Sequence, residues 1–251
     1  MPTASGSTPS GPRSCGGDRE VTEAGGVRLV TWTEGGRDRP ALVRELGPGW
    51  RAVSSSLLGG GLRSIAWWLD AQVDKEYFHP DPLAHARRIA AGLGLAPDAG
   101  CAMLTAADVR RWSGADDEGV EVAATVGLGL PVYAAVPVDL AALEAAPPAG
   151  TINVLVVVPA PLSDAALVNA VITVTEAKVQ ALAEAGVDGT GTSSDAVCVA
   201  CPDARGPDAE PYGGPRSLWG ARIARAVHRA VAEGTADWLG SVSVHGGTMR
   251  A

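Results

Sequence analysis

GTINVLVVVPAPLSDAALVNAVITVTEAKVQALAEAGVDGTGTSSDAVCVACP, residues 150 to 202, reads as a strand, a helix and a second strand. From Gly150 to Val158 the residues are β-branched or apolar almost without interruption, the pattern of a strand covered on both faces, so it is placed centrally in a sheet. Ser163 then offers a helix N-cap, apolar residues recur at helical spacing, and Gly186 supplies the stop. Asp195 to Cys201 is apolar again and predicts a second strand. A capped helix set between two such strands points to a sheet with helices packed on it.

Outward from this stretch the same reading continues. Val27 to Thr33 and Ala41 to Leu46 are short apolar runs joined by the tight turn GGRDRP, and a further strand ends near Ser54. Three glycines, Gly59, Gly60 and Gly61, make SSSLLGGGL a loop whose backbone can approach something closely. Ser64 to Val73 alternates, with Trp68, Asp70 and Gln72 on a polar face. Asp81 caps a helix that Pro82 begins and Gly94 ends. Cys101 to Leu104 and Val120 to Val126 predict strands, and Leu218 to Glu233 a final helix with Trp219, Ile223, Ala226, Val227 and Ala230 inward. The expected fold is α/β or α+β, a single domain with a mixed β-sheet covered by helices. Its expected limits are residues 20–240, after a disordered leader over 1–19 rich in Ser, Gly, Pro and Thr, and before a tail over 241–251.

Composition narrows the function classes. The chain has 251 residues, is 46% apolar and 19% charged, and carries a formal charge of −8 with both signs mixed and no basic stripe, so nucleic acid is not an expected partner. No eighteen apolar residues run together and the leader lacks an apolar centre, which predicts neither a membrane span nor a secretory signal, and hence a cytoplasmic protein. Cys198 and Cys201 form a CxxC with no second ligand pair after it, so the pair reads as two half-buried thiols on a strand and no metal is expected.

Chemistry has few places to sit. On a helical wheel Leu167, Val168, Val171, Ile172, Val174, Val179 and Leu182 form one broad apolar face with Lys178 in its middle, where an ammonium needs a partner, a cavity or an edge to snorkel to. Glu176 falls on a polar stripe roughly 160° away and cannot pair with it. The loop Gly189 to Ser194 can offer hydroxyls and N–H groups to an anion, and Asp195, which follows it, is the best partner in reach of Lys178. No GxSxG, HExxH or cysteine–histidine arrangement is present, and His228, among Arg222, Arg225 and Arg229, reads as solvated.

In order along the chain stand GGGL at 59–62, TAADV at 105–109, TVGL at 125–128, GTINV at 150–154, LSDAALVNAVITVTEAK at 162–178, TGTSSDA at 190–196 and YGG at 212–214. In this order and spacing, over about residues 50 to 235, they resemble the adenosylcobinamide amidohydrolase family of corrinoid salvage. The resemblance implies hydrolysis of the amide between a corrin propionate and aminopropanol, with a small-molecule corrinoid as substrate, no cofactor, and adenosylcobyric acid as product. The sequence departs from the family where Gly129 and Leu130 follow TVGL in place of a small residue and asparagine. For that chemistry the candidates are Glu176 or Asp195 to activate water, Lys178 to stabilise negative charge or protonate the amine, and Thr190 and Thr192 as donors. Asn153 is a candidate to orient the amide, and Gly59, Gly60 and Gly61 to approach the substrate. Two rivals stand beside this: a corrinoid carrier or sensor that does not cut, and a self-cleaving Gly150-Thr151 junction, against which the β-branched run argues by suiting an intact central strand. Assembly into a homo-oligomer is left open.

Overall fold

A computed structural model describes residues 23–24, 26–135, 150–204 and 206–245. The leader over 1–19 and the end of the tail, 246–251, lie outside them. Nine strands are found among the described residues: β1 Glu23–Ala24, β2 Val27–Glu34, β3 Arg37–Ser54, β4 Gly61–Gln72, β5 Gly100–Thr105, β6 Ser113–Asp117, β7 Val120–Gly127, β8 Thr151–Val157 and β9 Ala196–Pro202. Three α-helices accompany them: α1 Pro82–Gly92, α2 Asp164–Glu184 and α3 Leu218–His245. The chain is a single mixed α/β domain. Its sheet follows the order β1-β2-β3-β9-β8-β7-β6, with β4 beside β3 and β5 beside β4. Pairings β4–β5 and β8–β9 are parallel and the others antiparallel.

One long strand makes the sheet fold over on itself. The two strands expected on either side of Gly47-Pro48-Gly49 are the single strand β3, because Gly47 and Gly49, both at positive φ, absorb a register shift between Glu45 and Trp50 without breaking the pairing with β4. Its first half pairs with β2 and β4, and its second half with β4 and β9. The two halves of the sheet therefore face each other across an apolar interior that includes Leu42, Ile65, Trp68, Met103, Leu155 and Ala200. Outside the first half lies α1, on Trp67, Leu69 and Ala102. Outside the second lie α2 and α3, on Ile152, Val154, Val156 and Val199. Every residue of β8 is buried, as the uninterrupted apolar run requires.

Several expectations change in detail. β4 has no polar face: Trp68 and Asp70 are both fully buried, because the curl places that side inside the molecule. β6 is an additional strand: SGADD has no apolar alternation and is held by its pairing with β7. α3 runs to His245, twelve residues past the expected end at Glu233. In α2 the buried side is Ala166, Leu167, Ala170, Thr173, Val174, Ala177, Lys178, Ala181 and Leu182, whereas Val168 and Ile172 are 54% and 51% exposed. Small alanines, rather than the valines, let α2 sit close to β9 and α3. By length and composition α2 is apolar enough to cross a bilayer, yet half of it is buried within the fold.

Candidate functional site

The parallel unit β8-α2-β9 decides what meets at one rim of the sheet. Ser163 caps α2, its hydroxyl accepting from the Ala166 N–H at 3.1 Å, and the chain re-enters the sheet at Asp195 beside Thr151 and Ile152. There the Lys178 ammonium hydrogen-bonds Asp195 Oδ2, and both side chains are about nine-tenths buried. The partner that a lysine inside a helix's packed face demands is thus present. Asp195 Oδ1 also accepts from the Ile152 N–H at 3.0 Å, the Thr192 N–H at 3.2 Å and the Thr192 hydroxyl at 2.5 Å. Such a set of donors fixes the carboxylate in one pose. Gly191 is required here: a Cβ on it would stand 2.3 Å from Asp195 Oδ2 and 2.5 Å from Lys178 Nζ.

Beside this pair the carbonyl of Gly150 collects hydroxyls. Thr151 Oγ1 lies 2.8 Å from its oxygen, Thr192 Oγ1 3.1 Å and Ser194 Oγ 3.3 Å, while Thr151 Oγ1 and Ser194 Oγ are 2.7 Å apart. Gly150 has φ +120, and a Cβ on it would come within 2.5 Å of the Gly127 carbonyl, so only glycine fits. A cavity of about 670 Å³ opens next to it, lined among others by Lys75, Ala107, Gly127, Gly129, Gly150 and Trp238.

Inside the folded sheet, one layer below Gly127 and Thr151, lies a second polar cluster. Asp70 Oδ2 accepts from the Thr125 hydroxyl and Oδ1 from Asn153 Nδ2, each at 2.8 Å. Asn153 Oδ1 is buried without a hydrogen-bond partner. Burial pushes the Asp70 carboxyl up to about 6 from its ordinary 3.8, against the lowering effect of the two hydrogen bonds. Asp70 escaped the sequence reading because alternation placed it on an exposed face; the signal was Trp68, a large apolar residue on that same face.

Of the candidate residues, Lys178, Asp195 and Thr192 come together, and Asn153 lies one residue along β8 from Ile152, facing the interior. Thr190 instead accepts from the Ala134 N–H at 3.0 Å and braces the Val132–Ala134 segment. Glu176 is exposed, beside Val171, Ile172, Val179 and Gln180 on the outer side of α2. Gly59 and Gly60 pack against backbone, their Cβ positions being 2.1 Å from the Gly100 carbonyl and 2.5 Å from that of Ser56, and Gly61 carries a φ of +88. Packing and turn geometry account for all three. Cys198 and Cys201 point to opposite faces of β9: Cys198 lies 3.5 Å from Cys101 Sγ in the interior, and Cys201 faces the helices. His228 is not merely solvated, since its Nε2 is 2.7 Å from Glu184 Oε2. Arg225 and Arg229 bind Asp117, and Arg222 binds Glu118, so the polar side of α3 clamps the β6–β7 turn.

Stretches that carried the family resemblance meet at this rim. Thr125 and Asn153 are register partners, as are Gly127 and Thr151, and Ala107 and Asp108 line the same cavity as Gly150. The departing Gly129 is in that lining and Leu130 next to it is exposed. Comparison with known proteins agrees with the resemblance. Residues 27–243 match the family described as adenosylcobinamide amidohydrolase. The adenosylcobinamide amidohydrolase of Methanosarcina mazei is 33% identical over 191 residues, 73% of this chain and 88% of its own. That of Halobacterium salinarum is 43% identical over 118 residues, 45% of this chain and 48% of its own. A crystal structure of a protein from Pyrococcus horikoshii overlaps 83% of each chain with 12% identity and a TM-score of 0.43.

Proposed function

The chain belongs to the adenosylcobinamide amidohydrolase family, and from that premise we propose that it hydrolyses the aminopropanol amide of adenosylcobinamide, in the cytoplasm, giving adenosylcobyric acid and free aminopropanol. The observation that carries this reading is the buried Lys178–Asp195 pair, joined through Thr192 to the Gly150 carbonyl at the edge of the cavity. An amide is cut when a nucleophile reaches its carbonyl carbon, donors receive the charge that develops on oxygen, and a proton reaches the leaving nitrogen. The rim supplies hydroxyls of Thr151, Thr192 and Ser194 for the first two tasks and the Lys178 ammonium as the nearby cation. Its cavity has the size of a drug-sized ligand or a side arm, which fits an amide arm entering while the macrocycle stays outside.

Purified protein incubated with adenosylcobinamide should release one aminopropanol per adenosylcobyric acid formed. Tight binding of the corrinoid with no amine released would replace the hydrolase reading with that of a carrier.

A further inference from the structure

The hydroxyls around Gly150 surround a peptide bond of the protein itself. We propose that Thr151 is the nucleophile, first against its own Gly150–Thr151 bond and then, freed as an N-terminal residue, against the substrate amide. The sequence alone favours an intact strand here; the geometry points the other way. Gly150 precedes the central strand, is held at a φ that other residues rarely adopt, and has no room for a side chain, so its carbonyl is fixed against the Thr151 hydroxyl. Thr192 and Ser194 complete the ring around the carbonyl oxygen.

Each hydroxyl has one proton to donate. At rest the Gly150 oxygen competes for them with Asp195, which Thr192 also reaches, and with the contact between Thr151 and Ser194. Once Thr151 Oγ1 attacks the Gly150 carbon, the oxygen becomes an alkoxide and wins that competition, which is how an oxyanion site favours the transition state. The C–N bond then breaks, the proton from Thr151 Oγ1 ends on the departing nitrogen, and an ester joins Gly150 to Thr151. Water hydrolyses the ester, leaving a carboxylate on Gly150 and a free hydroxyl and amine on Thr151.

That amine has an ordinary pKa near 8 and can take the proton from its own hydroxyl, which activates Thr151 as a nucleophile. Attack on the corrinoid amide then gives an ester of the corrin propionate and expels aminopropanol with that proton; water releases the acid. This second use rests on the function proposed above, whereas the self-cleavage does not.

Denaturing intact-mass measurement of the purified full chain decides the matter. Two fragments are expected, one ending at Gly150 and one beginning at Thr151. Thr151→Ala should remain a single chain and lose turnover by at least about a thousandfold, while Thr151→Ser should still cleave and keep measurable activity. Thermal melts of both variants separate loss of the nucleophile from loss of the fold. A chain found intact at 25.4 kDa, active or not, overturns the inference. Cleaved protein that leaves adenosylcobinamide uncut overturns the function and leaves the self-cleavage standing.

Discussion

Lys178 and Asp195 form a pair whose members cannot be removed singly without consequence. Lys178→Met leaves the Asp195 carboxylate nine-tenths buried without its cation, and Asp195→Asn does the converse to the ammonium; each should cost about 3 kcal/mol. The double variant should regain much of that stability in thermal melts and none of the turnover, a non-additivity that two exposed residues would not show. Gly191→Ala should reproduce the loss with no charge changed, because its Cβ would wedge the pair apart. Asp70 predicts the opposite sign. Its carboxyl rises from 3.8 to about 6 on folding, so below pH 4 it is neutral in both states and costs nothing. Between pH 4 and 6 the folded state must hold a proton that the unfolded state has released, and stability falls as pH rises. Above 6 the whole penalty, on the order of 3 kcal/mol, is present. Asp70→Asn keeps a partner for both Thr125 and Asn153. It should raise the melting temperature at pH 7.5 and change it little at pH 4; an equal shift at both would contradict burial as the cause.

Among the elements, those whose signals are local were legible in the sequence. Ser163 and Gly186 bracket α2, Asp81 and Pro82 begin α1, and β8 announces itself by its unbroken apolar run. What could not be read depends on contacts distant along the chain. Whether β4 has a free face is set by the curl of β3, and β6 exists only because β7 lies beside it. The site followed the same division. A lysine amid apolar helix positions announced that it needs a partner, whereas Asp70 and the ring of hydroxyls on Gly150 become visible only once three separate strands, β4, β7 and β8, and a loop converge. The YGG segment has a packing explanation at this scale: Gly213 and Gly220 allow the segment before α3 to lie against α2 and its own carbonyls, with Cβ positions 2.1 Å from the Ala166 oxygen and 1.9 Å from the Gly214 oxygen. Gly220→Ala should therefore destabilise by about 1 to 3 kcal/mol through overpacking. An unchanged melting temperature would mean that α3 can shift to make room.

The molecule as a whole is a curled mixed sheet with helices on both outer faces, and its polar chemistry is gathered at the rim where β7, β8 and β9 meet α2. The reaction proposed from membership of the family and the arrangement of this rim is cleavage of a carbon–nitrogen bond in the substrate's arm. Turnover of adenosylcobinamide in water enriched in oxygen-18 tests that most directly, with the products analysed by mass spectrometry. One labelled oxygen is expected in the new carboxylate of adenosylcobyric acid and none in the released aminopropanol. Label in the aminopropanol hydroxyl, or adenosylcobinamide recovered bound and unchanged, would contradict it.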